Sequence, residues 1–171
     1  HRAMADPKAS IDYSFHMNIS RFDEQVAEEL PDLPRMGVTS LKVFTAYNGR
    51  LRLDDGSIFK VMRIGGKNNL LTMVHAENGD VIDILVAEAL AAGKTAPIHH
   101  ARTRPAWGEV EASLRAAALA AQADSPLYLV HMNVAGEVDQ LAYARKHAIP
   151  AMGATCPHYL FFTEEDLKRP D

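Results

Sequence analysis

The fold of this chain is indicated most directly by one stretch, Thr39-Ser40-Leu41-Lys42-Val43-Phe44-Thr45-Ala46-Tyr47. Its β-branched and aromatic residues predict a β-strand, and a lysine stands in the middle of that strand. Burying a lysine costs free energy unless the amine is paired, neutral or chemically modified. Lys42 is therefore the first candidate for a functional residue.

Outward from this strand, predicted strands and helices alternate along the chain. Further strands are predicted at 11–17, 69–75, 127–131 and 149–156, with helices between them. This alternation is typical of an α/β fold with a parallel sheet. A doubly wound sheet and a (β/α) barrel both fit it, but no glycine-rich phosphate loop follows any strand, which weakens the nucleotide-binding version.

The positions of the polar residues favour the barrel. His75 and His131 each close an apolar strand and precede a helix, and Lys42 lies inside another strand. Barrel enzymes place catalytic groups at the C-terminal ends of several strands, and a full barrel needs eight strands and about 250 residues. We therefore predict a partial (β/α)8 TIM-type barrel, roughly its middle five strands with their helices, in which residues 1–171 form a single segment.

Composition excludes several classes of protein. The chain has 171 residues, of which 47% are apolar and 23% charged, as in ordinary globular proteins. A net charge of -4 without any basic block argues against a nucleic-acid partner, and the apolar stretches are too short to span a membrane. Cys156 is the only cysteine, which excludes an intramolecular disulfide and predicts a cytoplasmic protein.

Two histidines and the lysine are candidate metal ligands. Neutral imidazole is a common ligand of zinc, and the alternative for His75 or His131 is a hydrogen-bonded core residue. For Lys42, one interpretation is a stem that lies along the strand with its ammonium group reaching an acidic partner. The other is a buried amine whose lowered pKa favours the neutral form, which reacts with carbon dioxide to give a metal-bridging carbamate.

Other polar residues have simpler interpretations. Tyr47 follows the Lys42 strand, either as a donor to a developing oxyanion or as a surface-loop tyrosine. Asp80 is predicted to cap a helix over 81–92, and Gly65-Gly66 to follow a short helix over 58–64. His99-His100 is predicted to be solvated loop, and Cys156 a buried, inert thiol.

Four segments resemble a known family, the dihydropyrimidinases or D-hydantoinases of the amidohydrolase superfamily. They are Ser40–Tyr47, His75–Asp80, Leu127–His131 and Thr155–Leu160. The resemblance implies a distorted (β/α)8 barrel with a binuclear centre of two divalent ions, usually zinc. Lys42 matches the carboxylated lysine that bridges both metals, His75 and His131 match two histidines on the second metal, and Tyr47 matches the tyrosine that stabilises the tetrahedral intermediate.

The same resemblance implies an activity. A metal-bridging hydroxide would attack the amide carbonyl of a small cyclic diamide, such as a dihydropyrimidine or a 5-substituted hydantoin. We expect the full-length protein to be a homo-oligomer, either a dimer or a tetramer. The alternatives are a non-catalytic interaction protein similar to the collapsin-response mediator proteins, and a relative of allantoinase or dihydroorotase. Retention of Lys42 together with His131 favours the enzyme.

The chain also departs from the family pattern. The His-x-His motif of the first barrel strand and the aspartate of the eighth match nothing in it. We therefore expect the first strands, the last strand and any β-sandwich domain to be absent, and the metal centre to be incomplete. Ala154 stands where the family usually has Glu, and Asn133 where Ser is common, which concerns the substrate rather than the ligands.

Overall fold

The sheet contains five parallel strands that follow one another in sequence order. The structure is a computed structural model that describes residues 1–169. Its strands are β1 (His16–Asn18), β2 (Ser40–Phe44), β3 (Leu71–His75), β4 (Leu127–Leu129) and β5 (Ala151–Gly153). Every neighbouring pair is parallel, and the order β1-β2-β3-β4-β5 contains no reversal. A doubly wound sheet reverses its order at a switch point, whereas a barrel does not. The predicted α/β class and partial-barrel arrangement are confirmed.

Helices connect the strands on one side of the sheet. The α-helices are α1 (Arg2–Ala5), α2 (Glu24–Glu29), α3 (Asp55–Lys67), α4 (Gly79–Ala91), α5 (Ile98–Arg102), α6 (Ala106–Ala123) and α7 (Ala135–Lys146). Short 3-10 helices lie at Leu30–Met36, Pro157–Leu160 and Glu164–Lys168. No helix in residues 1–169 combines the length and apolar character needed to cross a bilayer.

The two faces of the sheet have different surroundings. Leu41, Thr72 and Leu127 are register partners, and all three are fully buried. Helix α3 packs on this face, since a methyl group on Gly65 would lie 3.3 Å from the Thr72 hydroxyl and 3.5 Å from Leu41. The register partners one residue further along each strand are only half-buried or exposed. They are Asn18, Lys42, Met73, Tyr128 and Met152. Lys42 therefore projects from the face opposite the helices, which is the interior of a closed barrel.

Several local predictions were wrong about where elements begin and end. The first strand starts at His16 rather than Ile11, whose side chain is 83% exposed and has no core to join. The helix predicted to end before Gly65 continues to Lys67. Its two glycines allow close packing, because a Cβ atom on Gly66 would lie 2.4 Å from the Asp124 carbonyl oxygen.

Three predicted residue roles also change. Asn78, not Asp80, caps α4, with its side-chain oxygen accepting from the Val81 N–H at 3.2 Å. His99 and His100 lie within α5 rather than in a loop. Cys156 is only partly buried.

Substituting Gly66 tests the contact between α3 and the end of α6. We expect Gly66→Ala to lower the free energy of unfolding by about 2 kcal/mol or more, because the added methyl group meets rigid backbone. Urea unfolding of the protein measures this. Gly108→Ala is the matched control, since its Cβ would lie 3.7 Å from Asn78. That change should be neutral or stabilise the helix by about 0.5–1 kcal/mol, and equal losses in both variants would contradict the packing argument.

Candidate active site

His75 and His131 meet at the C-terminal edge of the sheet. His75 is the last residue of β3, and His131 lies two residues beyond β4. The Nδ1 atom of His75 lies 2.9 Å from the Nε2 atom of His131. Parallel strands bring their carboxyl ends to one edge, which explains how residues 56 positions apart in sequence come together.

A carboxylate fixes which nitrogen of His75 carries the proton. The Glu77 carboxylate lies 2.6 Å from His75 Nε2, so Nε2 donates a proton to it and Nδ1 keeps its lone pair. That lone pair points at His131 Nε2. Two nitrogen ligands at 2.0–2.1 Å on a tetrahedral zinc ion would be about 3.3 Å apart. The observed 2.9 Å is shorter than this by a few tenths of an ångström, and the carboxylate behind His75 is the partner that commonly orients a metal-ligating histidine.

The protonation of His131 also suits a ligand. Burial lowers the pKa of the His131 imidazole, and the neighbouring His75 and Lys42 side chains lower it further. A lowered pKa keeps the imidazole neutral at physiological pH, which is the form that binds metal. Because Lys42 contributes to the lowered pKa of His131, the Lys42 amine lies close enough to this histidine to interact with it electrostatically.

Lys42 is a half-buried amine without a carboxylate partner among the described residues. Burial lowers the pKa of Lys42 to about 8. Its Nζ atom lies 3.7 Å from the centre of the Phe44 ring, which stabilises the protonated form through a cation–π contact. The structure therefore shows no acidic partner in residues 1–169 for the salt-bridge interpretation, and it provides a lysine with a sizeable neutral fraction.

Tyr47 lies over this edge of the sheet. Its ring centre is 5.0 Å from that of His75 and 5.9 Å from that of Phe44. The side chain is 40% exposed, so one side of the phenol faces open space. Burial and the negative charge of Glu77 raise the pKa of Tyr47, which keeps the hydroxyl protonated and able to donate.

Backbone conformation singles out two of these residues. Among residues 1–169, five non-glycine residues have positive φ, namely Tyr47, Asn69, Asp124, His131 and Ala148. Asn69, Asp124 and Ala148 each follow the end of a helix, where a left-handed residue is common. Tyr47 at 68° and His131 at 45° do not follow helices. Such conformations cost about 1–3 kcal/mol and concentrate at functional sites.

Three supporting residues were not singled out from the sequence. The Thr45 hydroxyl lies 3.0 Å from the His75 carbonyl and 2.8 Å from the Glu77 carbonyl, and it accepts the Glu77 N–H. Arg104 approaches the other side of Glu77, at 3.8 Å. Burial pushes the pKa of Glu77 upward, but the hydrogen bond from His75 and nearby positive charges outweigh it and lower the pKa. In the sequence, the signal that could have identified Glu77 is a carboxylate two residues after a histidine that ends a strand.

The loop after His131 is held from two directions. The Met132 N–H donates to the Ala154 carbonyl at 2.7 Å, which ties it to the segment after β5. The Asn133 N–H donates to Glu137 at 3.1 Å, and the Asn133 side chain donates to Glu109 at 3.1 Å. Glu109 and Glu137 are both buried. Burial and a hydrogen bond to Glu137 raise the pKa of Glu109 to about 8, so the Glu109 carboxyl group is mostly protonated at pH 7.

This raised pKa predicts a pH dependence of stability. Because the folded-state pKa of Glu109 exceeds its unfolded value, its contribution is full below about pH 4.5 and is lost as pH rises through about 8. Glu109→Gln keeps the donor and removes the titration. We expect urea unfolding between pH 5 and 9 to show a flatter decline in the variant, by about 1 kcal/mol or more. Glu111→Gln on the same helix is the control, and identical slopes for Glu109→Gln and wild type would contradict the raised pKa of Glu109.

The described residues supply an incomplete metal shell. Within residues 1–169, no three His, Cys, Asp or Glu side chains come together as a metal-binding group. His75, His131 and Lys42 are the groups that fit a metal here, and zinc requires four ligands.

Comparison with known proteins gives consistent results. No family model matches the chain. Over 168 residues, 98% of the chain, it is 44% identical to the D-hydantoinase of Ralstonia pickettii and 45% identical to that of Geobacillus stearothermophilus. The dihydropyrimidinase structure from Brevibacillus agri NCHU1002 matches 99% of the chain with a TM-score of 0.95 and 46% identity. The predicted resemblance to the dihydropyrimidinase and D-hydantoinase family is confirmed.

The match covers only part of each relative. The chain spans 37% of the Ralstonia D-hydantoinase, 36% of the Geobacillus D-hydantoinase and 37% of the Brevibacillus dihydropyrimidinase. The D-hydantoinase resemblance therefore concerns little more than a third of the length of those proteins. In this chain, the matched residues include Lys42, His75, His131 and Tyr47.

Proposed function

We propose that the chain is a segment of a cyclic amidohydrolase that opens the amide bond of cyclic diamides, either dihydropyrimidines or 5-substituted hydantoins. The names of its relatives, D-hydantoinase and dihydropyrimidinase, support this substrate class. The observation that carries the proposal is the approach of His75 Nδ1 to within 2.9 Å of His131 Nε2, with Lys42 and Tyr47 on the same edge.

The complete protein would hold two divalent metal ions, which we propose are zinc. His75 and His131 would bind one of them, and a carbamate on Lys42 would bridge both. The other ligands would come from parts of the complete protein outside residues 1–169. When bound, such ions supply Lewis-acid polarisation of the amide carbonyl and lower the pKa of water.

Lys42 would form the carbamate by addition of its amine to carbon dioxide. The lone pair of the neutral amine attacks carbon dioxide, a nitrogen–carbon bond forms, and one proton leaves for solvent. With the pKa near 8, about a tenth of the amine is neutral at pH 7. Bound divalent ions would stabilise the negative charge of the carbamate and so offset the cost of burying it.

Tyr47 and Glu77 have separate roles in this proposal. The Tyr47 hydroxyl stays protonated and donates a hydrogen bond to the oxygen that becomes negatively charged as the ring opens. Glu77 accepts the His75 Nε2–H and thereby keeps the Nδ1 lone pair aimed at the ligand position.

The proposal extends to assembly and location. We propose that the complete protein forms a homo-oligomer, either a dimer or a tetramer, in the cytoplasm. Two observations support this: β1 and β5 are edge strands of the described sheet, and Cys156 is the only cysteine in the sequence.

The proposal is tested on the complete protein by metal analysis and ring-opening assays. We expect two divalent ions per chain and hydrolysis of dihydrouracil or a 5-substituted hydantoin. His131→Ala should lose one bound ion and at least about 100-fold in activity, because a ligand is removed. His147→Ala, at the end of α7, should retain both. Neither metal nor hydrolysis in the wild-type protein would contradict the proposal and favour the non-catalytic interaction protein.

A further inference from the structure

The loop that carries Tyr47 folds back onto β2. The N–H groups of Arg50 and Leu51 donate to the Tyr47 carbonyl at 3.1 and 3.0 Å. The Leu53 N–H then donates to the Phe44 carbonyl at 3.0 Å and closes the loop. The backbone just beyond Tyr47 is therefore a compact turn, and its placement over His75 depends on what holds that turn down.

Four side chains connect this turn to the first turns of α4. Arg52 Nη1 donates to Asn48 Oδ1 at 2.8 Å and to the Asp80 carboxylate. Asn48 Nδ2 donates to Asp80 at 3.0 Å and to Asp83 at 2.8 Å. We call Asn48, Arg52, Asp80 and Asp83 the α4 tether. The Arg52 side chain is 26% exposed and that of Asp80 64%, so the restraint comes from four connected hydrogen bonds rather than from one buried ion pair.

Backbone packing brings the same two elements into close contact. A Cβ atom on Gly79, the first residue of α4, would lie 2.8 Å from the Ala46 Cα and 3.0 Å from the Asn48 side-chain oxygen. Ala46 and Asn48 flank Tyr47 on both sides. The loop thus rests directly on the start of α4, beside the α4 tether.

We propose that Arg52 is a positioning residue that holds the Tyr47 hydroxyl over the reacting carbonyl, through Asn48 and Asp80. This inference rests on the proposed function. Tyr47 has a φ of 68°, a conformation that relaxes unless its surroundings enforce it. A displacement of about 1 Å at a catalytic group costs about 100-fold in rate. Breaking the tether therefore costs turnover although Arg52 itself contacts no reacting atom.

A double-mutant cycle on the complete protein tests this role. We expect Arg52→Met to lower kcat by about 10- to 100-fold with KM changed by less than about threefold. In a Tyr47→Phe background the same change should cost less than about twofold, because the group it positions has gone. Arg52→Lys should restore part of the loss, and Arg50→Met, an exposed arginine of the same loop, should have no effect. Equal losses from Arg52→Met in both backgrounds would overturn the proposal.

Hydrogen exchange provides a readout that needs no activity. Arg52→Met should accelerate exchange of the Arg50 and Leu51 amides by about tenfold or more, while strand β3 exchanges as in the wild type. Unchanged exchange at these two amides would overturn the tether itself. Accelerated exchange in a protein that hydrolyses no cyclic amide would instead overturn the proposed function and leave the α4 tether as a structural device.

Discussion

We expect replacement of Lys42 with alanine to lower hydrolysis of dihydrouracil by the complete protein by about 1,000-fold or more. The substitution would remove the proposed carbamate, and with it several kcal/mol of charge stabilisation in the transition state. Lys42 has only a ring contact with Phe44 and no carboxylate partner in residues 1–169, so the folded state should tolerate the change. Steady-state kinetics and metal analysis measure the two losses separately.

Chemical rescue distinguishes a carbamate from an ordinary lysine. Alanine leaves room for a small carboxylate where the lysine stem and its carbamate would lie, so added acetate or propionate should restore part of the activity of Lys42→Ala. Lys42→Met fills that space and should not be rescued, which makes it the matched control. Lys60→Ala, on helix α3, should behave as the wild type. Full activity of Lys42→Met without any carboxylate would contradict the proposed role.

We expect replacement of Tyr47 with phenylalanine to lower kcat by about 100- to 1,000-fold. The ring and its packing against His75 remain, and only the hydroxyl proposed to donate to the developing oxyanion is lost. Because that hydrogen bond strengthens in the transition state, KM should change by less than about threefold. The measurement is kcat and KM for dihydrouracil.

The matched control for this change is Tyr143→Phe on α7. That side chain is half exposed and packs on His147, away from the site. We expect its kinetic constants to equal those of the wild type. A kcat for Tyr47→Phe within about twofold of the wild type would show that the phenol is a surface-loop tyrosine, which was the alternative open from the sequence.

The sequence predicted the sheet well because strand signals are local. Apolar runs bounded by turn residues gave all five strands, and the strand-end positions of His75 and His131 gave their convergence. The C-terminal ends of parallel strands lie at one edge of the sheet. The order of the elements and the position of each histidine within its strand were therefore enough to predict that the two histidines meet.

The supporting contacts were not predictable because they join residues far apart in sequence. Asp80 matched a helix cap by position, yet Asn78 caps α4 and Asp80 binds Arg52 across the loop. Gly66 looked like a helix terminator, although its role is to let α3 approach the backbone of Asp124. In both cases a tertiary contact outweighed a correct local rule.

The bond from the Met132 N–H to the Ala154 carbonyl has a consequence for interpreting variants of this protein. His131 lies beyond the last residue of β4, and the residues on either side of it bond to different neighbours: the Val130 N–H donates to the Val74 carbonyl in β3, and the Met132 N–H to the segment after β5. A residue near β5 can therefore change turnover while contributing no ligand and touching no substrate. Ranking variants by their distance from the reacting atoms would misclassify such positions as neutral.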